Sequence, residues 1–164
     1  MPVFICSLKC ELENVSSLSV RDSVWTLDVK NGSSDETRKG VTIDADDEID
    51  VEGSRASANL VIKFQDAIEK AHASILPTDD KKALVRSMTS EDSGEWVPFL
   101  AIEARGLEIT AVHLGGDNFT LVTSGGTTFI PDLSEPDWAE YDQDHQLPVS
   151  ITQLETKVEV YKKK

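Results

Sequence analysis

An all-β domain, a sandwich or barrel, is the fold class this sequence predicts, and two observations carry it. Phe4, Cys6, Leu8, Cys10 and Leu12 are apolar at every second position, with Ser7, Lys9, Glu11 and Glu13 among the intervening residues. This is the period-2 pattern of a strand with one buried face. Further short runs rich in β-branched and aromatic residues recur down the chain, broken by clusters of glycine, asparagine and proline, at the spacing of a sandwich or barrel.

The first strand is expected over 3–13. A second is written in Trp25, Leu27 and Val29, alternating with Thr26, Asp28 and Lys30 and ending at the turn-forming Asn31-Gly32-Ser33-Ser34; Val41-Thr42-Ile43 is its expected hairpin partner. Between 58 and 75, Leu60, Phe64, Ile68, Ala71 and Ile75 fit a 3.6-residue period, and periodicity alone predicts an amphipathic helix there. Strands follow at 97–105, 107–114, 119–123, 127–130 and 151–161, separated by Gly115-Gly116-Asp117-Asn118, Gly125-Gly126 and Pro131-Asp132. Pro136 suits the first turn of a helix, so a short helical turn is expected near 135–142, with Trp138 and Tyr141 on one of its faces. An offset of 95 places Phe4, Leu12 and Glu13 on Phe99, Leu107 and Glu108. This faint repeat divides a single domain, 1–164, into halves of roughly 1–95 and 96–164.

A chain of 164 residues fits one compact domain. Its 30 acidic and 16 basic residues leave a net charge of −14, which repels phosphate backbones and anionic lipid. Nucleic acid and membrane are therefore excluded as expected partners. The basic run Lys162-Lys163-Lys164 reads as a solvated tail. No stretch approaches the ~18 apolar residues that span a bilayer, and the residues after Met1 lack a basic region and cleavage site; the expected compartment is cytoplasm or nucleus. Cys6 and Cys10 share a strand face at about 13 Å separation, too far to bridge, and read as reduced core thiols.

The obvious chemical constellations are incomplete. His72, His113 and His145 lack the close spacing of a ligand pair. The acidic run Asp44, Asp46, Asp47, Glu48, Asp50 and Glu52 attracts cations in principle, but a calcium loop counted from Asp44 has Ile49 where glycine belongs and Arg55 where glutamate belongs. No Gly-x-Ser-x-Gly elbow occurs. Gly53-Ser54-Arg55-Ala56-Ser57-Ala58-Asn59 is small and polar enough to hold an anion, yet lacks a phosphate loop's lysine. The segment 135–142 sets Trp138 and Tyr141 among four carboxylates. These two residues are the candidate interaction pair, since Trp and Tyr dominate recognition hot spots; the alternative is a cap over the sheet's end.

Five segments in order carry a wider likeness: Leu12-Glu13-Asn14, the run 53–59, Ala104-Arg105-Gly106-Leu107-Glu108, Ser124-Gly125-Gly126-Thr127-Thr128-Phe129, and Asp137-Trp138 with Tyr141-Asp142. Together they resemble the eukaryotic CXXC-motif-containing zinc-binding protein family over nearly the whole chain. The resemblance implies two intertwined, duplicated halves and a structural zinc held by two Cys-x-x-Cys knuckles on adjacent hairpin turns. It replaces the helix at 58–75 with strands at 60–63 and 73–76. The first knuckle falls on Asn31-Gly32-Ser33-Ser34 and the second on Phe64-Gln65-Asp66-Ala67. None of the four metal positions, Asn31, Ser34, Phe64 and Ala67, is cysteine. A structural zinc contributes on the order of 10 kcal/mol, so its loss needs an offset, and an apolar contact of Phe64 with Ala67 is expected to supply part, about 1.5–3 kcal/mol.

The expectation is a zinc-free, non-enzymatic interaction or scaffold domain, monomeric, with a protein partner and no cofactor. The alternative is a metal- or redox-homeostasis accessory protein that binds a metal-handling partner, or a divalent cation weakly.

Overall fold

The structure, a computed structural model, describes residues 2–77 and 83–161; the run Lys162-Lys163-Lys164 lies outside them. The described residues form fifteen strands. In the first part of the chain these are β1 (Val3–Glu13), β2 (Val15–Val20), β3 (Val24–Asn31), β4 (Thr37–Asp44), β5 (Ile49–Asp50), β6 (Ser57–Ala58), β7 (Leu60–Ile62), β8 (Ala71–Ile75) and β9 (Met88–Thr89). After a 3-10 turn at Ser90–Asp92 come β10 (Val97–Arg105), β11 (Leu107–His113), β12 (Phe119–Thr123), β13 (Thr128–Phe129), β14 (Trp138–Asp142) and β15 (Leu147–Val160). Among the described residues no helix is long and apolar enough to cross a membrane. The all-β expectation holds.

A central six-stranded sheet runs β14-β15-β1-β10-β8-β7, flanked by β11-β3-β4 and β13-β12-β2-β9, with a small β5-β6 ribbon. One hydrophobic cluster draws on all three larger sheets. At its heart the rings of Trp25, Phe99 and Phe119, one from each sheet, lie 5.4–5.9 Å apart in tilted and edge-on contacts, the geometry that aromatic quadrupoles favour.

Exchanging β1 with β10, β8 with β15 and β7 with β14 leaves the order of the central sheet unchanged. Exchanging β2 with β11, β3 with β12 and β4 with β13 turns one flanking sheet into the other, apart from β9. Each half therefore completes the other's sheets. The pairing register gives the offset: Val15 faces Thr123 and Leu107 faces Asn31, so Leu107 lies 92 residues beyond Val15 and Thr123 92 beyond Asn31. The crossing points obey it too, since Asn14 and Gly106 both have left-handed backbones, at φ 55° and 83°. At Gly106 a Cβ would also stand 3.1 Å from the Cβ of Ala71, so glycine is required twice over. The offset of 95 suggested by Phe4/Phe99, Leu12/Leu107 and Glu13/Glu108 is corrected by this register.

Two local expectations fail. The helical period at 58–75 gives way to β7 and β8, with Leu60, Ile62 and Phe64 buried in alternation and Ile68 97% exposed. A helix would have buried Ile68. The helical turn near 135–142 is also wrong, because β14 pairs residue for residue with β15, from Trp138 opposite Ile151 to Asp142 opposite Leu147. That ladder satisfies backbone groups which so short a helix leaves orphaned, and proline at 136 needs no donor partner. The serine-rich β2 is an additional strand that the sequence does not predict.

Candidate functional site

The β3–β4 and β7–β8 turns, where the family resemblance places metal, meet in the structure through polar side chains. Asn31, the last residue of β3 and 3% exposed, donates its side-chain N–H to Asp66 Oδ1 at 2.8 Å, while its side-chain Oδ1 accepts the Ser33 N–H at 3.0 Å. Glu36 Oε1 accepts the N–H groups of Gln65 and Asp66 at 2.8 and 3.4 Å. Arg38 donates to the Lys63 carbonyl at 2.7 Å and lies 5.2 Å from the centre of the Phe64 ring. The Ser34 hydroxyl, with the Asn31 amide, holds the Asp66 carboxyl below its ordinary value despite partial desolvation. Phe64 is fully buried and Ala67 packs against the core.

This donor set does not fit zinc. A structural zinc takes thiolates or imidazoles, whereas these four positions present an amide already committed at both ends, a hydroxyl and two hydrocarbons. The expected apolar offset at Phe64 is joined by ties that sequence reasoning missed: Asp66, Glu36 and Arg38 link the turns directly.

The exchange symmetry locates a second junction, between the β12–β13 and β14–β15 turns. Arg105 faces His72 and Glu13 faces Ser150; His72 in turn faces Val61, and Ser150 faces Ala139. Ala139 lies 78 residues beyond Val61, and the same step carries Phe64 to Asp142 and Ala67 to His145. Asn31 corresponds to Thr123. At this second junction Thr123 Oγ1 donates to Asp142 Oδ2 at 2.7 Å and Thr127 Oγ1 to Asp142 Oδ1 at 2.9 Å. His145 Nδ1 lies 3.1 Å from Asp142 Oδ2 and 3.1 Å from Thr127 Oγ1. Asp142 is 1% exposed and Thr123 also 1%. Burial pushes the Asp142 carboxyl up, but hydrogen bonds from Thr123, Thr127 and His145 outweigh it and hold the group below its ordinary value. A Cβ on Gly125 would stand 2.3 Å from the His145 ring, so glycine there admits the imidazole. Asp142 and His145 thus close the second junction at the places matched to Phe64 and Ala67.

The other candidates separate. Trp138 is partly buried, its ring 5.9 Å from that of Phe129 and edge-on, whereas Tyr141 is 49% exposed. Three apart on a strand, they point to opposite faces, so the expected shared face is corrected. In the acidic run, Ser23 Oγ donates to Asp44 Oδ1 at 2.9 Å and Asp46 Oδ2 at 3.1 Å; among the described residues no three His, Cys, Asp or Glu side chains converge as a metal-binding group. His113 pairs with Asp28 at 2.9 Å and His72 sits on β8, far in the sheet order from His145.

Cys6 and Cys10 are free, buried thiols. Burial pushes both up to about 12, with the neighbouring Glu11 charge adding to the effect at Cys10. An alkylating reagent at neutral pH is expected to leave both unmodified in the folded chain and to modify both in denaturant, as read by intact mass. Rapid native alkylation would show that the core face of β1 is open.

The family described as "CXXC motif containing zinc binding protein, eukaryotic" matches residues 5–159. The rat protein named CXXC motif containing zinc binding protein is 29% identical over 151 residues, covering 90% of this chain and 91% of its own. Its human counterpart of the same name is 28% identical over the same length and coverage. Among solved structures, a hypothetical protein from Plasmodium falciparum superposes with a TM-score of 0.87 at 25% identity, over 97% of this chain and all of that one. The crystal structure of C1orf123 gives 0.85 at 26%, over 97% and 99%. With the family matched from β1 to β15 and the fold shared end to end, this chain belongs to the eukaryotic CXXC-motif-containing zinc-binding protein family.

Proposed function

We propose that this chain is a non-enzymatic interaction or scaffold domain of cytoplasm or nucleus, a zinc-free member of its family with a protein partner. The observation that supports this reading best is the direct bond from Asn31 to Asp66: the turns that the family's metal is expected to clamp are tied here by side chains. Such ties hold the ends of the sheets in register without a cofactor, which suits a fixed binding surface. The net charge of −14 favours a partner with a basic surface.

Elemental analysis of untagged, purified protein is the direct test. Zinc far below one atom per chain is expected, together with an unfolding midpoint that a strong zinc chelator leaves unchanged. One zinc per chain, or a chelator-induced collapse of the kind metal-dependent folds show, would overturn the zinc-free reading. The relatives' printed name favours a second reading, an accessory protein of metal or redox balance; calorimetric titration with zinc, calcium and magnesium giving no heat would remove its cation-binding form.

A further inference from the structure

We propose that the outer edge of β11, with the groove beside it, receives a short, extended, basic segment of a partner protein, added as a strand in the way β9 is added to β2. This rests on the reading of the chain as an interaction domain, and it names the surface and the chemistry it accepts.

The exchange symmetry of the flanking sheets breaks at one place. β13-β12-β2 continues into β9, whereas its counterpart β4-β3-β11 stops at β11, with no strand on that outer edge among the described residues. On β2 the added strand sets Met88 opposite Leu18 and Thr89 opposite Ser17, and its segment buries Met88 to 2% and Val85 to 8% exposure. Traced through the pairings with β12 and β3, and allowing for the β2 bulge after Val15, Ser17 and Leu18 correspond to Glu108 and Ile109 in the first half of β11. At the end of that strand lies an open groove of about 450 Å³ with apolar walls from Val112, Leu114, Leu133 and Leu154. Glu135 and Thr156, both exposed, also line it. An unpaired edge beside a groove with mixed apolar and polar walls is what strand addition uses, main-chain hydrogen bonds for affinity and alternate side chains for specificity. Edges are guarded against pairing by lysine, proline, inward charge or a bulge; β11 has neither lysine nor proline, and its bulge between Ile109 and Ala111 leaves ladder positions for an added strand on the Leu107–Ile109 side.

Charge selects the occupant. A second copy of this chain would bring −14 against −14, which opposes self-association. A basic segment meets Glu135 at the groove and the chain's overall negative field. The internal precedent supplies a basic probe: Lys81-Lys82-Ala83-Leu84-Val85-Arg86-Ser87-Met88-Thr89, the sequence running into β9, carries three cations and no carboxylate, with Arg86 paired to Asp92 in the folded chain.

The test uses the full chain and a fluorescein-labelled peptide with the sequence of residues 81–89, followed by anisotropy and by amide chemical-shift mapping. A control peptide replaces both lysines and the arginine with glutamate. Saturable binding is expected, with shifts concentrated on β11 and residues 112–114 and 133–136. Binding should weaken at least about tenfold, or about 1.4 kcal/mol, for the control peptide and for the double variant Glu135→Lys/Thr156→Trp, whose fold is checked by circular dichroism. Should that variant unfold, Thr156→Trp alone and the shift map on the unaltered chain decide the question. Binding that maps elsewhere, or that tolerates the substitutions or the acidic peptide, would overturn the strand-addition site while leaving an interaction domain intact. Absence of binding to this peptide and to a displayed library of basic extended peptides would overturn both.

Discussion

Replacing Asp142 by alanine is expected to lower the thermal unfolding midpoint by about 5 °C or more, as charged hydrogen-bond networks in a domain of this size imply. The carboxylate accepts from Thr123, Thr127 and His145 at 2.7–3.1 Å, and its removal leaves the 1%-exposed Thr123 hydroxyl without its acceptor. An unpaired buried donor costs more than the average hydrogen bond contributes, because desolvation is then uncompensated. Asparagine at 142 keeps the shape but loses the charge, and it adds acid dependence to the test. The Asp142 carboxyl is held below its ordinary value in the folded chain, so its contribution is fully present above the unfolded value of about 4. That contribution fades as pH falls through the depressed folded value, where both states become protonated. The gap between the unaltered chain and Asp142→Asn should therefore be widest near neutrality and close in acid, measured by unfolding midpoints across that range. A gap that persists unchanged in strong acid would show that the charge is not what closes the second junction.

Phe64→Ala is expected to cost about 3–5 kcal/mol, the usual penalty for emptying a buried phenylalanine site. Phe64 is 0% exposed, and Arg38 lies over its ring, so truncation removes core packing and a cation–π contact at once. Chemical denaturation with a constant m-value would measure the loss; a change below about 1 kcal/mol would mean that the site collapses around the gap and that polar ties alone hold the first junction. Asp66 is itself exposed, though its bond from the buried Asn31 is partly shielded, and Asp66→Ala should move the midpoint less than Phe64→Ala. Comparison of the two variants separates apolar from polar closure of the turn where relatives are expected to hold metal.

The strands are legible wherever one face is buried, because alternation in β1 and β3 mirrors the burial that the structure displays. Legibility fails where a local rule competes with a distant partner. Pro136 reads as a helix start, but β15 takes the whole of β14 into a ladder. The helical spacing from Leu60 to Ile75 is a coincidence of two short strands and a turn that leaves Ile68 in solvent. Family likeness corrects this stretch at the level of strands, with β8 beginning two residues before the expected position.

For the candidate site, the identities at 31, 34, 64 and 67 can be read as a missing thiolate set, since the chemistry of a ligand is a property of its residue. Which polar groups close the gap cannot. Asp66 and Glu36 are ordinary acids in an acidic chain until the turns meet, and nothing local links Thr123 to an aspartate nineteen positions on.

The all-β class, the buried alternation of the first strand and the lack of thiolates or imidazoles at 31, 34, 64 and 67 follow from the order of residues alone, because side-chain period and donor chemistry are local properties. Folding in three dimensions was needed to bring Thr123, Asp142 and His145 to the places that Asn31, Phe64 and Ala67 hold in the other half, and to leave β11 without the neighbour β2 has. Those facts depend on cross-strand register, which is set by pairings between residues dozens of positions apart and leaves no mark within any one segment.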